Sequence, residues 1–238
     1  PTSTANSNLR AFSSTPCAHA QRSTTASYYR GGTSRGVLFQ PAHLPRDRSQ
    51  WPSLFLQVMG SPDPYGRQLD GMGAGVSSLS KICLVAPSSR HDADVDYTFV
   101  GIGIERDEVD VAGNCGNMSA AIGPYAFNER LLAGEAYAAG EMKTVKIHNT
   151  NTGVIIKSTF EVSDGEAVTK GDYAIDGVSG TGSRIALDFL RPGGSKTGQL
   201  LPTGKFIDTI EGVKVSCVDA ANPCIFVRAA DVGVEGAI

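Results

Sequence analysis

Residues 111–121 read V-A-G-N-C-G-N-M-S-A-A, and the change of character inside this stretch organises the rest of the chain. An extended segment gives way to glycines and asparagines around Cys115, and small helix-forming residues follow from Met118. At such a junction the first N–H groups of the helix have no partner inside it and point at one spot, where an anion can sit. Upstream, residues 71–81 read G-M-G-A-G-V-S-S-L-S-K, a glycine- and serine-rich run that ends in Lys81 and enters the apolar strand Ile82 to Val85. The two stretches are expected to meet in one pocket.

Outward from them the pattern is mostly strand and turn. Tyr28 to Phe39 reads as strand, glycine loop and strand, with Arg30, Thr33, Ser34 and Arg35 crowded on a loop that glycines keep open to close approach. A solvent-exposed hairpin tip explains the glycines but not the paired arginines. Trp51, Leu54, Phe55 and Val58 recur at helical spacing behind a Pro/Ser start, which suits core packing. S-P-D-P-Y-G-R-Q-L-D at 61–70 is a rigid turn into the glycine run. Strands are expected at Ile82–Val85 and Tyr97–Ile104, with Glu105–Asp110 a solvated loop or helix end. The helix behind Cys115 is expected from about Met118 to Leu132, with Gly134 closing it. Further strands, Thr144–Ile147 and Gly153–Val162, flank the turn His148-Asn149-Thr150-Asn151-Thr152, whose side chains favour turns by themselves. A glycine cluster between 165 and 182 suggests a domain boundary, followed by strands at Ile185–Leu190, Val213–Val218 and Cys224–Val227.

Composition narrows the class. The chain has 238 residues and a net charge of −3, with no basic block interleaved with aromatics, which argues against a nucleic-acid partner. No apolar run reaches the ~18 residues a membrane span needs. Cys17, Cys83, Cys115, Cys217 and Cys224 are odd in number and lack C-x-x-C spacing, so neither a disulfide framework nor a zinc site is indicated, and a reducing compartment fits. Residues 1–27 are rich in Ser, Thr and Ala, carry Arg10 and Arg22 and contain no acidic residue. They read either as a disordered tail or as a mitochondrial transit segment delivering the protein to the matrix; without that address the cytoplasm is the expected location.

Several motifs fail on their own terms. G-Q-L-L-P-T-G-K at 198–205 has five residues between its glycines and Phe206 where a phosphate-binding loop needs Ser or Thr. The glycines at 71–75 and 180–182 lack the spacing of a dinucleotide site. The four histidines lie in unrelated segments, and no serine sits in G-x-S-x-G. What remains is a lysine, a cysteine, small hydroxyls and loop amides. Taken singly, Cys115 could be a small core residue and Lys81 a surface one. Together they suit removal of a proton next to a carboxylate: a lysine in a desolvated pocket can act as base, and a cysteine at a helix N-terminus can carry a second proton. The same amides, with Arg30 or Arg35, would hold carboxylates and the enolate charge.

R-G-G-T-S-R-G at 30–36, S-P-D-P-Y-G-R-Q-L-D-G at 61–71, S-S-L-S-K at 77–81, G-N-C-G-N-M-S at 113–119, H-N-T-N-T-G at 148–153, and L-P-T-G with D-A-A-N-P between 201 and 223 together resemble the PrpF family, which contains 2-methylaconitate and aconitate isomerases. The resemblance runs from about Tyr28 to the end. It implies an α+β, diaminopimelate-epimerase-like fold: two similar domains, each a curved, mostly antiparallel sheet around a central helix, divided here as 28–175 and 176–238, with the second incomplete. It also implies a cofactor-free allylic proton shift in an unsaturated tricarboxylic acid, a small-molecule substrate as partner, and a site between the domains; a homodimer is compatible with it. Lys81 matches the catalytic lysine and Cys115 the active-site cysteine. Asn114, Gly116, Asn117 and Met118 match the carboxylate-binding loop, Ser77 and Ser80 lie beside the lysine, and Asn222 matches an Asn-Pro turn that contacts substrate; Asn149, in the polar turn, is a further candidate. Two other readings stay open: an amino-acid epimerase or racemase, whose chemistry uses two opposed cysteines, and a non-catalytic carboxylate-binding protein of the same fold.

Overall fold

The computed structural model describes residues 23–134 and 142–236. Most of the expected leader, residues 1–22, lies outside the described residues. The elements in chain order are β1 (Ser27–Gly31), β2 (Ser34–Phe39), α1 (Trp51–Met59), β3 (Lys81–Pro87), β4 (Val95–Ile102), β5 (Val109–Asp110), α2 (Gly116–Asn128), β6 (Met142–Asn149), β7 (Ile155–Ser163), β8 (Glu166–Ala167), β9 (Ala186–Leu190), β10 (Asp208–Ile210), β11 (Val213–Ala220) and β12 (Asn222–Val227). Nine strands form one sheet in the order β1-β2-β3-β4-β6-β7-β8, with β5 paired to β4 and β9 to β7. The β2/β3 and β4/β6 pairs are parallel; every other pair in this sheet is antiparallel.

Strand alternation sorts the side chains onto two faces. Leu38, Cys83, Val85, Tyr97 and Phe99 point to one side and close around α2, together with Val145, Ile147, Ile156 and Phe160. Val37, Phe39, Ile82, Leu84, Val100 and Ile102 point to the other and pack on Phe55, Leu56 and Met59 of α1. α2 is buried along nearly its whole length, from Met118 to Phe127 apart from Ala120. Such a helix has no polar face because it is enclosed rather than laid on a surface. Its approach to β7 is so close that a Cβ on Gly123 would collide with the Ser158 hydroxyl. The α+β expectation, a curved and mostly antiparallel sheet around a central helix, describes this first sheet.

The end of α2 differs from the expectation. The helix stops at Asn128, not near Leu132: Arg130 takes a left-handed conformation at φ 59°, and the N–H groups of Arg130 and Leu131 donate to the carbonyls of Phe127 and Ala126 at 3.2 and 2.9 Å. This closure normally uses glycine. Sequence reading therefore placed the stop at Gly134, while Leu131, tucked against the core, favours the earlier one. Glu105–Asp110, expected as loop, ends in the short strand β5. The expected division between residues 175 and 176 also falls ahead of β9, which pairs along its length with β7, Ile155 opposite Leu190. A separate three-stranded sheet, β10-β11-β12, follows only after the connection 191–207.

Candidate active site

Lys81 opens β3, opposite Gly36 on β2 and Gly101 on β4. The strands approach so closely there that a Cβ on Gly36 would sit 2.5 Å from the Lys81 carbonyl oxygen. Alternation puts Lys81 on the same face as Cys83, the α2 side, and its Nζ lies 5.0 Å from the centre of the Phe99 ring. A ring face attracts an ammonium there. Cys115 sits at the head of α2 in extended conformation (φ −108°, ψ 103°), half-buried against the same core, and its thiol makes no capping hydrogen bond. On the same strand and face as Lys81, in the core that Cys115 packs against, lies the fully buried Cys83, whose thiol is pushed up chiefly by burial; the hydrogen bond with Tyr97 lowers it, Cys115 raises it and Lys81 lowers it. Both candidate groups are thus within electrostatic reach of one buried sulfur. Tyr97, raised well above its ordinary range by burial first, also senses Cys83 and Cys115.

The loop before Cys115 is held from two directions. Asn222 grips the Asn114 peptide, its Oδ1 accepting the Asn114 N–H at 3.4 Å and its Nδ2 donating to the Asn114 carbonyl at 3.3 Å. Ala221, at φ 67° in the one-residue turn between β11 and β12, aims that amide. Asn149, fully buried, donates from Nδ2 to the Asn114 Oδ1 at 3.1 Å and is itself fixed by the Thr152 N–H and hydroxyl. Two residues on, the Asn151 amide donates to the carbonyls of Phe99 and Val111 at 2.9 and 2.7 Å and accepts the Phe99 N–H at 2.8 Å. The polar turn therefore ties β4, β6 and the cysteine loop together.

Space is left where a ligand needs it. Around Gly113 and Gly116 a Cβ would meet nothing within 4 Å, and neither residue has positive φ. Protein packing does not require glycine at these positions, and without a side chain the backbone there stays open to close approach. A cleft of about 300 Å³ opens here, walled by Asn114, Gly116 and Asn222 on its polar side and by Phe189, Pro192, Ala220 and Ala221 on the other. Behind it the connection 191–204 is pinned by Asp219, which accepts the N–H groups of Lys196 and Thr197 and the hydroxyls of Ser195 and Thr197 at 2.7–3.0 Å. Burial alone would raise the Asp219 carboxyl, but these donors outweigh it and lower it to about 2.

The family model described as PrpF protein matches residues 21–238. The chain belongs to the PrpF family. It is 44% identical over 211 residues to 3-methylitaconate isomerase of Eubacterium barkeri, covering 87% of this chain and 54% of that one. It is 39% identical to 2-methyl-aconitate isomerase of Cupriavidus necator, covering 89% and 56%. Among solved structures, that of methylitaconate-delta-isomerase superposes with a TM-score of 0.75 at 42% identity, covering 90% of this chain and 55% of that one. The chain thus spans about half the length of the relatives it matches.

In this PrpF chain Cys115, Asn114, Gly116, Asn117, Asn149 and Asn222 lie at or against the start of α2, and Lys81 lies on the face of β3 that packs toward that helix. Thr33 joins them through its hydroxyl, which accepts from Asn117 Nδ2 at 3.0 Å, while Gly31 and Gly32 leave room for the Asn117 backbone and amide. Other expected residues do not reach the opening. Arg30 and Arg35 face each other on the hairpin, on the strand face opposite to Gly31, Ser34 and Gly36, so alternation turns them away from Lys81. Arg30 instead donates to the Gly32 carbonyl, and Arg35 lies over Tyr28. Ser34 is buried. Ser80 is buried with its hydroxyl 2.6 Å from Gln68 Oε1 and 2.9 Å from the Val76 carbonyl, so it anchors the loop ahead of Lys81. Ser77 is exposed in the 3₁₀ turn Ser77–Leu79. The Met118 side chain is core, leaving only its backbone at the helix start.

Sequence reading missed Gln68, Asn151, Phe189 and Asp219. Gln68 and Asp219 lie inside quoted motifs, yet nothing in the motifs separates a buried anchor from a residue facing substrate. Among the described residues no helix is long and apolar enough to cross a membrane.

Proposed function

We propose that the protein is a cofactor-independent isomerase that moves a proton across an allylic system in an unsaturated tricarboxylic acid of the aconitate or 2-methylaconitate type. The observation that carries the reading is Lys81 on the face of the sheet that packs against α2, together with the uncapped Cys115 thiol at the head of that helix, next to the sterically open Gly116. The names of its relatives support the class of reaction. In the proposed step the Lys81 amine takes a proton from the carbon next to a carboxylate, and the electron pair spreads into that carboxylate and the adjacent double bond. The first-turn N–H groups of α2, with no side-chain cap from Cys115, stabilise the charge that develops. The Cys115 thiol delivers a proton to the far allylic carbon, shifting the double bond, and proton return from Lys81 to the thiolate closes the cycle. Atoms and electrons balance without an added reagent.

The test is incubation with cis- and trans-aconitate, 2-methylaconitate and 3-methylitaconate in D2O, following deuterium uptake and double-bond position by NMR. Turnover that disappears in Lys81→Ala supports the assignment; turnover that survives it removes Lys81 from the mechanism. The absence of any exchange in the wild type would favour a carboxylate-binding protein. We further propose that the protein acts in the mitochondrial matrix, on the composition of residues 1–27; imaging of a tagged chain with and without them decides this. Assembly as a homodimer is proposed as well and is read by sedimentation.

A further inference from the structure

Lys81 lies on a bare part of its sheet. Its register partners on both sides are glycines, Gly36 on β2 and Gly101 on β4, so no side chain stands directly beside it. The diagonal neighbour on the same face is Phe99, which stands opposite Cys83. Its ring leans over the vacant position, with Cε1 3.6 Å from where a Cβ on Gly101 would stand, and the Lys81 Nζ lies 5.0 Å from the ring centre. Among the described residues no carboxylate pairs with Lys81, and the ammonium meets a ring face instead. A carboxylate partner favours the charged form of an amine and repels an anionic substrate; a ring attracts the ammonium through its quadrupole and brings no charge of its own.

The place of the ring depends on the backbone of Phe99, which sits at a gap in the ladder. β4 pairs with β6 as far as Tyr97 and with β5 from Gly101, so on that edge Phe99 has no strand partner. The Asn151 side chain fills the gap: its Oδ1 accepts the Phe99 N–H at 2.8 Å and its Nδ2 donates to the Phe99 carbonyl at 2.9 Å. The same Nδ2 donates at 2.7 Å to the carbonyl of Val111, where the cysteine loop begins. Any large apolar residue would fill the core at 99, and any turn former would serve at 151. Neither role calls for an amide matched to both backbone groups of the residue that bears the ring. We propose that Phe99, held by Asn151, is a positioning residue that seats the Lys81 ammonium on its ring and so fixes the place of the amine. The proposal deepens the isomerase reading by resting on Lys81 as the base, yet its test does not need turnover.

The test is trace acetylation of the folded full chain by acetic anhydride, read lysine by lysine through peptide mass spectrometry, with the exposed Lys170 as internal reference. Phe99→Leu should speed Lys81 by about threefold to tenfold, within the range that a ring face is worth to a cation, and leave Lys170 unchanged. Phe99→Tyr keeps the ring face and should label as the wild type does. Asn151→Ala should also speed Lys81, and in the Phe99→Leu background it should add nothing, because it acts through the ring. Replacing Phe99 by a trifluorinated phenylalanine keeps the shape and drains the ring face, so Lys81 should again label faster. Where Phe99→Leu lowers the melting temperature, the trifluorinated protein decides. Unchanged Lys81 labelling in that protein would overturn the proposal, as would full additivity of Phe99→Leu with Asn151→Ala. Absence of isomerase turnover in the wild type would count against the proposed reaction and leave the labelling result standing.

Discussion

Asp219 shows how much one side chain organises here. Four donors from Ser195, Lys196 and Thr197 converge on its carboxylate, and its own backbone N–H donates to the Leu200 carbonyl, so the Gly/Pro-rich connection folds back onto β11. Its folded value of about 2 lies below the ~3.9 of an unfolded aspartate. A depressed carboxyl adds stability that is present above the unfolded value and is lost as pH falls toward the folded one. Asp219→Asn should therefore melt below the wild type at neutral pH, with the gap closing between about pH 4 and pH 2; a gap independent of pH in thermal melts would assign the loss to shape instead of charge. The two arginines of the hairpin teach the opposite lesson about reading single residues. Cys115 and Lys81 were legible because each marks the start of an element, a point that glycines and apolar runs make visible in the sequence. Arg30 and Arg35 were misplaced because which face they take depends on register with β3, and register is a pairing of distant segments that no local pattern encodes.

At the scale of elements, α2 carries the fold. Its position was legible from the junction at Cys115, while its end was not, since a left-handed Arg130 leaves no signal where glycine would. The contact between α2 and β7 contains a mismatch: the Ser158 hydroxyl is buried with no hydrogen-bond partner, facing Gly123. An unsatisfied buried hydroxyl is unfavourable by about 1–3 kcal/mol. Ser158→Ala should therefore leave the protein at least as stable as the wild type, gaining on the order of 1 kcal/mol in denaturant unfolding. Gly123→Ala should lose about 1–3 kcal/mol, because the added methyl has no room against β7. A destabilised Ser158→Ala would mean that a water molecule satisfies the hydroxyl.

The whole molecule presents a contrast between its two sheets. The first encloses its helix; the second exposes Ile225, Phe226 and Val227 of β12 at 65, 59 and 44% of their surface, on a strand with one paired edge among the described residues. Flat apolar edge strands recruit other strands. Self-association that grows with concentration is expected for this chain, and Ile225→Lys should suppress it in size-exclusion chromatography; an elution volume independent of concentration in the wild type would contradict this. The exposed face also explains why composition was a poor guide to the second sheet, because its strands have the apolar content of a covered one.

The Asn222 amide reaches across 108 residues of chain to hold the peptide of Asn114. Contacts of that sequence separation form slowly, because a long loop must close before they repay its lost entropy. The hairpins and α2 can form early from neighbouring residues. The pocket is therefore expected to be the last part of the molecule to take shape during folding, and a nascent chain has its cysteine turn held by Asn149 and Asn151 alone until synthesis has passed β12.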